Sequence, residues 1–407
     1  MIFFDHDVKE MKQIFGFLRR DKTPLLLIVA MAALWAALCL ITNKSFAGPT
    51  AYNTYTRQAM AWRDGLLHLP YDVSYLELAV YQGDYYVSFP PLPSVVLLPL
   101  TYLFGWDTPD NLLVKLYALG ACLLMYEALK HRGYKKWEAG IFSFLFCFAS
   151  SLLPLTLDGA VWYHAQVLAF FLTTAAVCFL SLDRPTLALI GYALAVGCRP
   201  FNALYGLPLF AAYLAANRRE GKNVKSMARA LLPGVCLGIC VAFGLGLYNY
   251  VRFGDPLEFG HNYLPEFSTQ GGIQFSVDHV AKNLKTFLWG LPLNSDLEFQ
   301  KFGFSMLIAC PTLVLMLYWF IVDLFRRRMR AEKAVVLLAC VAHAFLLLMH
   351  RTFGGYQLGA RYAVDLVPYT FFYLLLTPEK KRPGIVEYVV LAAVFAFMVW
   401  GTIQVHL

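Results

Sequence analysis

P-P-L-P-S-V-V-L-L-P-L-T-Y-L-F-G, residues 90–105, decides how the chain threads a membrane. It is apolar, yet it falls short of the roughly 20 residues needed to cross hydrocarbon. Prolines at 90, 91, 93 and 99 each remove a backbone donor, and a span in lipid must satisfy its backbone internally. We read it as a re-entrant or interfacial helix on the outer side. It closes a long connection, residues 44–110. The earlier part of that connection reads A-Y-N-T-Y-T-R-Q-A-M-A-W-R-D-G-L-L-H-L-P (51–70) and S-Y-L-E-L-A-V-Y-Q-G-D-Y-Y-V-S-F-P-P-L-P (74–93). Connections this long are functional or disordered as a rule, and the density of Tyr, Trp and Leu argues against disorder. It is expected to help form a site.

Outward from this loop the chain is apolar almost throughout. Hydrophobic residues make up 59% of the 407 residues and charged residues 15%, with a mean hydropathy of +0.55, which excludes a soluble core with an ordinary charged surface. Spans are expected near 24–43, 111–130, 137–154, 160–182, 186–200, 202–216, 230–250, 303–325, 334–350, 362–377 and 385–404. The fold class is therefore an all-α polytopic membrane protein of about eleven transmembrane helices, with a large first outer loop carrying interfacial or re-entrant helices. Residues 1–23 form a cytoplasmic amphipathic amino terminus and 24–250 a membrane module that includes the outer loop. A second outer loop follows at 251–302, then carboxyl-terminal spans at 303–407. No small-residue cleavage site precedes the first span, which reads as an uncleaved anchor.

Lys and Arg set the orientation. They cluster at Lys9, Lys12, Arg19, Arg20 and Lys22; at Lys130, Arg132, Lys135 and Lys136; at Arg218, Arg219, Lys222 and Lys225; at Arg326, Arg327, Arg328, Arg330 and Lys333; and at Lys380, Lys381 and Arg382. With a cytoplasmic amino terminus every cluster falls inside, provided 89–104 is not counted as a span. The net charge of +8 is then a topology signal, and no nucleic-acid partner is implied. The expected location is the cell membrane, multi-pass, with the active face extracytoplasmic.

Nine cysteines stand singly inside the spans, which gives no disulfide framework and no zinc spacing. Cys236 and Cys240, four apart, read as packing residues. No phosphate-binding Walker loop, dinucleotide fingerprint or H-E-x-x-H motif occurs, so ATP hydrolysis by this chain is not expected.

Chemistry is expected at the outer face, where ionisable residues meet the membrane boundary. Arg199, beside the helix-breaking Pro200, either snorkels to headgroups or binds a lipid phosphate, which guanidinium suits by its fork of donors. Asp158, before Gly159, is a helix cap or a site carboxylate. Arg361 and Tyr362 in G-A-R-Y are candidates for phosphate or sugar recognition, with Asp365 at i+4 as a structural partner of Arg361. Glu77, set among apolar residues that would raise its pKa, is either a catalytic or metal-binding carboxylate or a solvated loop residue. Asp84 after Gly83 is a second catalytic candidate, with a hairpin turn as its plain reading. Asn53, Tyr55, Tyr86 and Arg252 complete the substrate-binding candidates. Glu258, His261 and His279 could hold a divalent metal, although no strict spacing supports it; His261 is also a substrate-binding candidate. Part of the Tyr and Trp enrichment is the ordinary interfacial belt.

The order of these elements resembles the GT-C superfamily of polytopic glycosyltransferases, near the protein O-mannosyltransferases and lipid A aminoarabinose transferases. The stretch Y-T-R-Q-A-M-A-W-R-D-G (Tyr55–Gly65) is similar to a first-loop motif of that family, and S-F-P-P-L-P (Ser88–Pro93) to its K-P-P-L-like segment. Asp158 stands where the family often has an acidic residue, and Arg199 matches a basic one in position. L-Y-N-Y-V-R-F-G-D-P-L-E-F-G (Leu247–Gly260) and G-A-R-Y look like stretches of uncharacterised bacterial proteins of this kind. The resemblance implies an inverting transfer of a sugar from a polyprenyl-phosphate donor to a glycan, lipid or protein acceptor, with membrane lipids as further partners and no certain cofactor. Two positions depart from the pattern: Ala51, Tyr52 and Asn53 replace the first-loop acid, and Phe89 replaces the lysine. The alternatives are a non-catalytic relative that binds lipid-linked sugar and a lipid or sugar-lipid transporter. No internal repeat supports the latter.

Overall fold

The computed structural model describes residues 21–268, 274–352, 354–377 and 383–406. Lys9, Lys12, Arg19 and Arg20 of the expected amphipathic amino terminus, and Lys380, Lys381 and Arg382, lie outside the described residues. The first apolar run forms helix α1 (Thr23–Ile41), with a proline in its first turn. Leu27, Met31, Trp35 and Leu38 make its buried stripe at three-to-four spacing. The Trp35 indole donates to Thr156 Oγ1 at 2.8 Å.

The long connection then folds as helix α2 (Thr54–Arg63), an antiparallel hairpin of β1 (Leu78–Tyr81) and β2 (Asp84–Val87), and helix α3 (Leu92–Phe104). Gln82 and Gly83 turn the hairpin at φ of 53° and 93°, the left-handed backbone that tight hairpins need. Helix α3 has 13 residues, which is about 20 Å of helix. That is too short to cross hydrocarbon, and it packs against α2.

Six helices follow: α4 (Asp110–His131), α5 (Lys136–Phe148), α6 (Val161–Ser181), α7 (Pro185–Cys198), α8 (Gly206–Arg219) and α9 (Val224–Phe253). Helix α6 packs between α4 and α7, and α7 against α9. A Cβ on Gly191 of α7 would come within 3.0 Å of the Leu172 carbonyl oxygen of α6. Small residues of this kind let apolar helices approach closely where no hydrophobic force draws them together. After the second outer connection, which carries α10 (Asp278–Trp289), come α11 (Pro311–Phe325), α12 (Ala331–Leu348), α13 (Val367–Leu375) and α14 (Ile385–His406).

Each expected span contains helix, but among the described residues only α1, α4, α6, α9, α12 and α14 are long and apolar enough to cross a membrane unaided. The other five expected spans carry shorter helices, of 9 to 15 residues. Proline chemistry explains much of the shortfall. Arg199 is extended (φ −145°, ψ 103°) ahead of Pro200, and Cys310 is non-helical (φ −140°, ψ 73°) ahead of Pro311, because a proline ring bars its predecessor from helical backbone. Residues Pro200–Tyr205 and Arg361–Leu366 are 3₁₀ turns leading into α8 and α13. These breaks share the end of the bundle that carries the long connection. Irregular backbone is tolerated at membrane depth where protein buries it or it lines a cavity. The chain is an integral membrane protein.

At the opposite end, Lys333 Nζ of α12 donates to Asp323 Oδ2 of α11 at 2.5 Å, and Tyr373 of α13 donates to the same oxygen at 2.9 Å. The Lys333 side chain is 0% exposed and that of Asp323 5%. Removing one partner of a buried pair leaves an uncompensated charge, at a cost of about 3–5 kcal/mol. Asp323→Ala is therefore expected to lower the thermal midpoint of the purified protein sharply, and the double change Asp323→Asn, Lys333→Met to restore much of it.

Candidate active site

The ends of α6, α7 and α12 nearest the long first connection, the 361–366 turn and both long connections surround one cavity of about 670 Å³. Of the residues singled out from sequence, Tyr55, Glu77, Arg199, His261, Arg361 and Tyr362 line it. One wall is cationic. Arg199, held in extended backbone by Pro200, donates from Nε (2.8 Å) and Nη2 (2.7 Å) to Asp365 Oδ2. Gln166 Nε2 donates to the other Asp365 oxygen at 3.1 Å. The expected Arg361–Asp365 pair does not form, because a 3₁₀ turn has three residues per turn and puts i and i+4 on different faces.

Arg361 is instead fixed by carbonyl oxygens: Nε donates to Gly354 at 2.5 Å and Nη1 to Trp162 at 3.4 Å. Among the described residues no carboxylate is in ion-pair contact with it. The Tyr362 ring joins the two cations, its centre 5.6 Å from the Arg199 guanidinium and 4.7 Å from that of Arg361. Two guanidiniums against one carboxylate leave a positive charge on this wall, while Glu77, Glu258 and Glu266 line the cavity elsewhere.

Facing it across Trp162 is Glu77. Trp162 Nε1 donates to Glu77 Oε2 at 2.8 Å, while the Trp162 carbonyl accepts from Arg361. Although the Glu77 side chain reaches solvent at the cavity mouth, the surrounding protein desolvates its carboxylate and raises its pKa. The Trp162 N–H opposes that rise, Glu266 adds to it, and Arg361 opposes it more weakly. A carboxylate poised upward is the protonation chemistry a general base needs near neutral pH. Because the Trp162 bond favours the ionised form, Trp162→Phe should raise the Glu77 pKa. An infrared pH titration of the carboxyl band checks this: the Glu77 protonation should move to higher pH in the variant, modestly because the group is exposed to solvent.

His261 packs its ring on Phe89, with centres 5.8 Å apart. Burial, and secondarily His350, push its pKa down to about 4, so it is a neutral hydrogen-bonding group at pH 7. Glu258, also in the lining, is taken up locally, accepting from Gly260 N and Asn262 Nδ2 at 2.6 Å each. His279 is not in the lining, and among the described residues no group of three His, Cys, Asp or Glu side chains could hold a metal ion.

The other candidates are structural in their placement. Asp84 sits in the hairpin, paired with Tyr81 in register and 3.8 Å from His68. Asp158 accepts from Lys44 at 3.1 Å, Thr50 at 2.6 Å and the Ala160 amide at 3.1 Å, tying the first loop to the start of α6. Asn53 accepts from Arg57 Nε at 2.9 Å. Buried Arg252 donates to the Val87 carbonyl and Asn249 Oδ1, and stacks on Tyr248 at 3.9 Å. It pins the hairpin to α9. Tyr86 packs on Phe253 at 5.2 Å. None of these lines the cavity, and each is engaged in the structural contacts just described.

Sequence reasoning passed over Trp162 as the residue joining Glu77 to Arg361, and passed over Asp110. Asp110 opens α4, buried, accepting from Thr56 Oγ1 of α2 at 3.1 Å, with His164 Nδ1 4.0 Å away. A Cβ at Gly159 would come within 2.5 Å of the Asp110 carbonyl carbon, so only glycine lets the start of α6 approach there. An Asp at a helix start is an ordinary sequence feature, and nothing in it signalled this contact.

No protein-family model matches the chain, and no curated protein matches it. Solved structures do. ArnT from Cupriavidus metallidurans bound to undecaprenyl phosphate superposes with a TM-score of 0.51 at 15% identity, over 87% of this chain and 60% of that one. The archaeal oligosaccharyltransferase AglB from Archaeoglobus fulgidus, in complex with an inhibitory peptide and a dolichol-phosphate, superposes with a TM-score of 0.53 at 12% identity, over 94% of this chain and 55% of that one. The chain shares the membrane fold of these two structures. It spans little more than half the length of these structures.

Proposed function

We propose that this chain is a membrane glycosyltransferase that moves a sugar from a polyprenyl-phosphate-linked donor to an acceptor hydroxyl at the outer face, with its amino terminus cytoplasmic. The observation that carries the reading is Trp162, whose ring N–H holds the Glu77 carboxylate and whose carbonyl holds Arg361. A carboxylate of raised pKa and a guanidinium with no carboxylate in ion-pair contact among the described residues thus flank one residue in one cavity. The fold adds support, since the structures it matches carry undecaprenyl phosphate and dolichol-phosphate.

In the proposed step the acceptor oxygen attacks the anomeric carbon of the sugar. The bond from that carbon to the phosphate oxygen breaks, and the electron pair leaves on polyprenyl phosphate. Glu77 takes the acceptor proton. Arg361, aided by Arg199 on its Asp365 tether, neutralises the charge that grows on the leaving phosphate. Tyr55, Tyr362 and neutral His261 offer rings and hydrogen bonds to the sugar.

A second reading rests on Ala51, Tyr52 and Asn53, where no acid precedes Tyr55, and on Phe89: a protein that binds lipid-linked sugar without transferring it. Incubating the purified chain with a panel of polyprenyl-phosphate sugars separates the two. Transfer with release of polyprenyl phosphate supports the enzyme. Saturable donor binding with no release across the panel supports the binder.

A further inference from the structure

At the other end of the bundle, where the basic residues gather, a second cavity of about 510 Å³ opens among the ends of α4, α6, α7, α8, α9, α12 and α13. Four cations, Arg132, Arg219, Lys222 and Arg330, face three carboxylates, Asp183, Glu220 and Glu332. Pairing among them is uneven. Buried Glu332 is shared by Arg219 and, at 4.0 Å, by Arg330, while Lys222 meets Glu220 at 2.6 Å. Half-buried Arg132 has only the Thr377 carbonyl oxygen, 2.7 Å from Nη2, and no carboxylate in ion-pair contact among the described residues.

A guanidinium drawn partly out of water without a counter-charge is costly. Four cations thus face three carboxylates: Arg132 has Asp183 near it but no carboxylate in ion-pair contact among the described residues, and Arg330 reaches Glu332 only at 4.0 Å, so both keep donors to offer. The remaining wall is apolar, with Leu180, Met227, Phe372 and Leu376. Charge on one side and hydrocarbon on the other, at the ends of membrane helices, is the chemistry of a phospholipid: a basic pocket between helices takes an anionic headgroup.

We propose that this cavity binds the phosphate headgroup of an anionic phospholipid. Arg132 and Arg330 donate to the phosphate oxygens, and an acyl chain lies along the apolar wall. A free phosphate would use the same donors but not that wall. Nothing in this site depends on the outer cavity or on glycosyl transfer.

Native mass spectrometry of the full chain in neutral detergent, titrated with phosphatidylglycerol, phosphatidylcholine or inorganic phosphate, tests the proposal. Phosphatidylglycerol should bind at least about tenfold more tightly than phosphatidylcholine. Arg132→Gln and Arg330→Gln should each remove about tenfold of its affinity, the scale of one charge-assisted hydrogen bond. Arg330, whose side chain is 35% exposed, can be replaced with little risk to folding and carries the test if Arg132→Gln misfolds. Equal retention of the two lipids overturns the proposal, as does a preference untouched by Arg330→Gln. Inorganic phosphate binding as tightly as phosphatidylglycerol overturns the lipid assignment.

Discussion

Glu77→Gln is expected to lower kcat for the proposed sugar transfer by about 10²–10⁴, the range that general-base assistance supplies. The substitution keeps the shape and one oxygen for the Trp162 N–H, so the cavity wall stands while the proton acceptor is lost. Donor binding should therefore survive, and KM should move far less than kcat. The pH dependence carries a sign. A carboxylate whose pKa is raised by desolvation is ionised, and active as a base, only above that pKa, so the wild-type rate falls as pH drops through it. An undiminished rate in Glu77→Gln would remove Glu77 from the chemistry and leave the base to another residue.

Arg361→Gln is expected to lower kcat/KM by about 10²–10³, the loss seen when one preorganised donor to developing charge is removed. The effect should fall more on kcat than on donor binding, because the leaving phosphate gains charge as the anomeric bond breaks. Lysine in its place should recover only part, since an ammonium cannot reproduce the donor fork that reaches the Gly354 and Trp162 carbonyls. The corresponding change at Arg199 should cost less activity and more stability, because Arg199 already spends two donors on buried Asp365.

The helices were legible because lipid demands long apolar runs, and the helix break at Arg199–Pro200 was legible because proline dictates its neighbour's backbone. A hairpin turn was legible at Gly83–Asp84 from turn chemistry, although its tip falls one residue earlier, at Gln82–Gly83, and Asp84 begins β2. Helix lengths were less so: apolar composition does not register where a 3₁₀ turn replaces the first turns of a span, as at 200–205 and 361–366. The pairings were not legible at all. Arg199 finds Asp365 across 166 residues and Trp162 finds Glu77 across 85. The sequence offered Asp365 to Arg361 by helical spacing, and the 3₁₀ turn gave it to Arg199. Asp84 and Asp158 have the residue type a site needs, but only packing places them in a hairpin and at a loop anchor.

The central claim is that one outer cavity receives a lipid phosphate against Arg361, with Glu77 on the far side of Trp162. An experimental structure of the full chain with polyprenyl phosphate bound tests it most directly. The account predicts phosphate oxygens within about 3.2 Å of the Arg361 guanidinium, beside Tyr362, with the Glu77 carboxylate facing the same space. A headgroup seated outside this cavity, or inside it but without contact to Arg361, would contradict it.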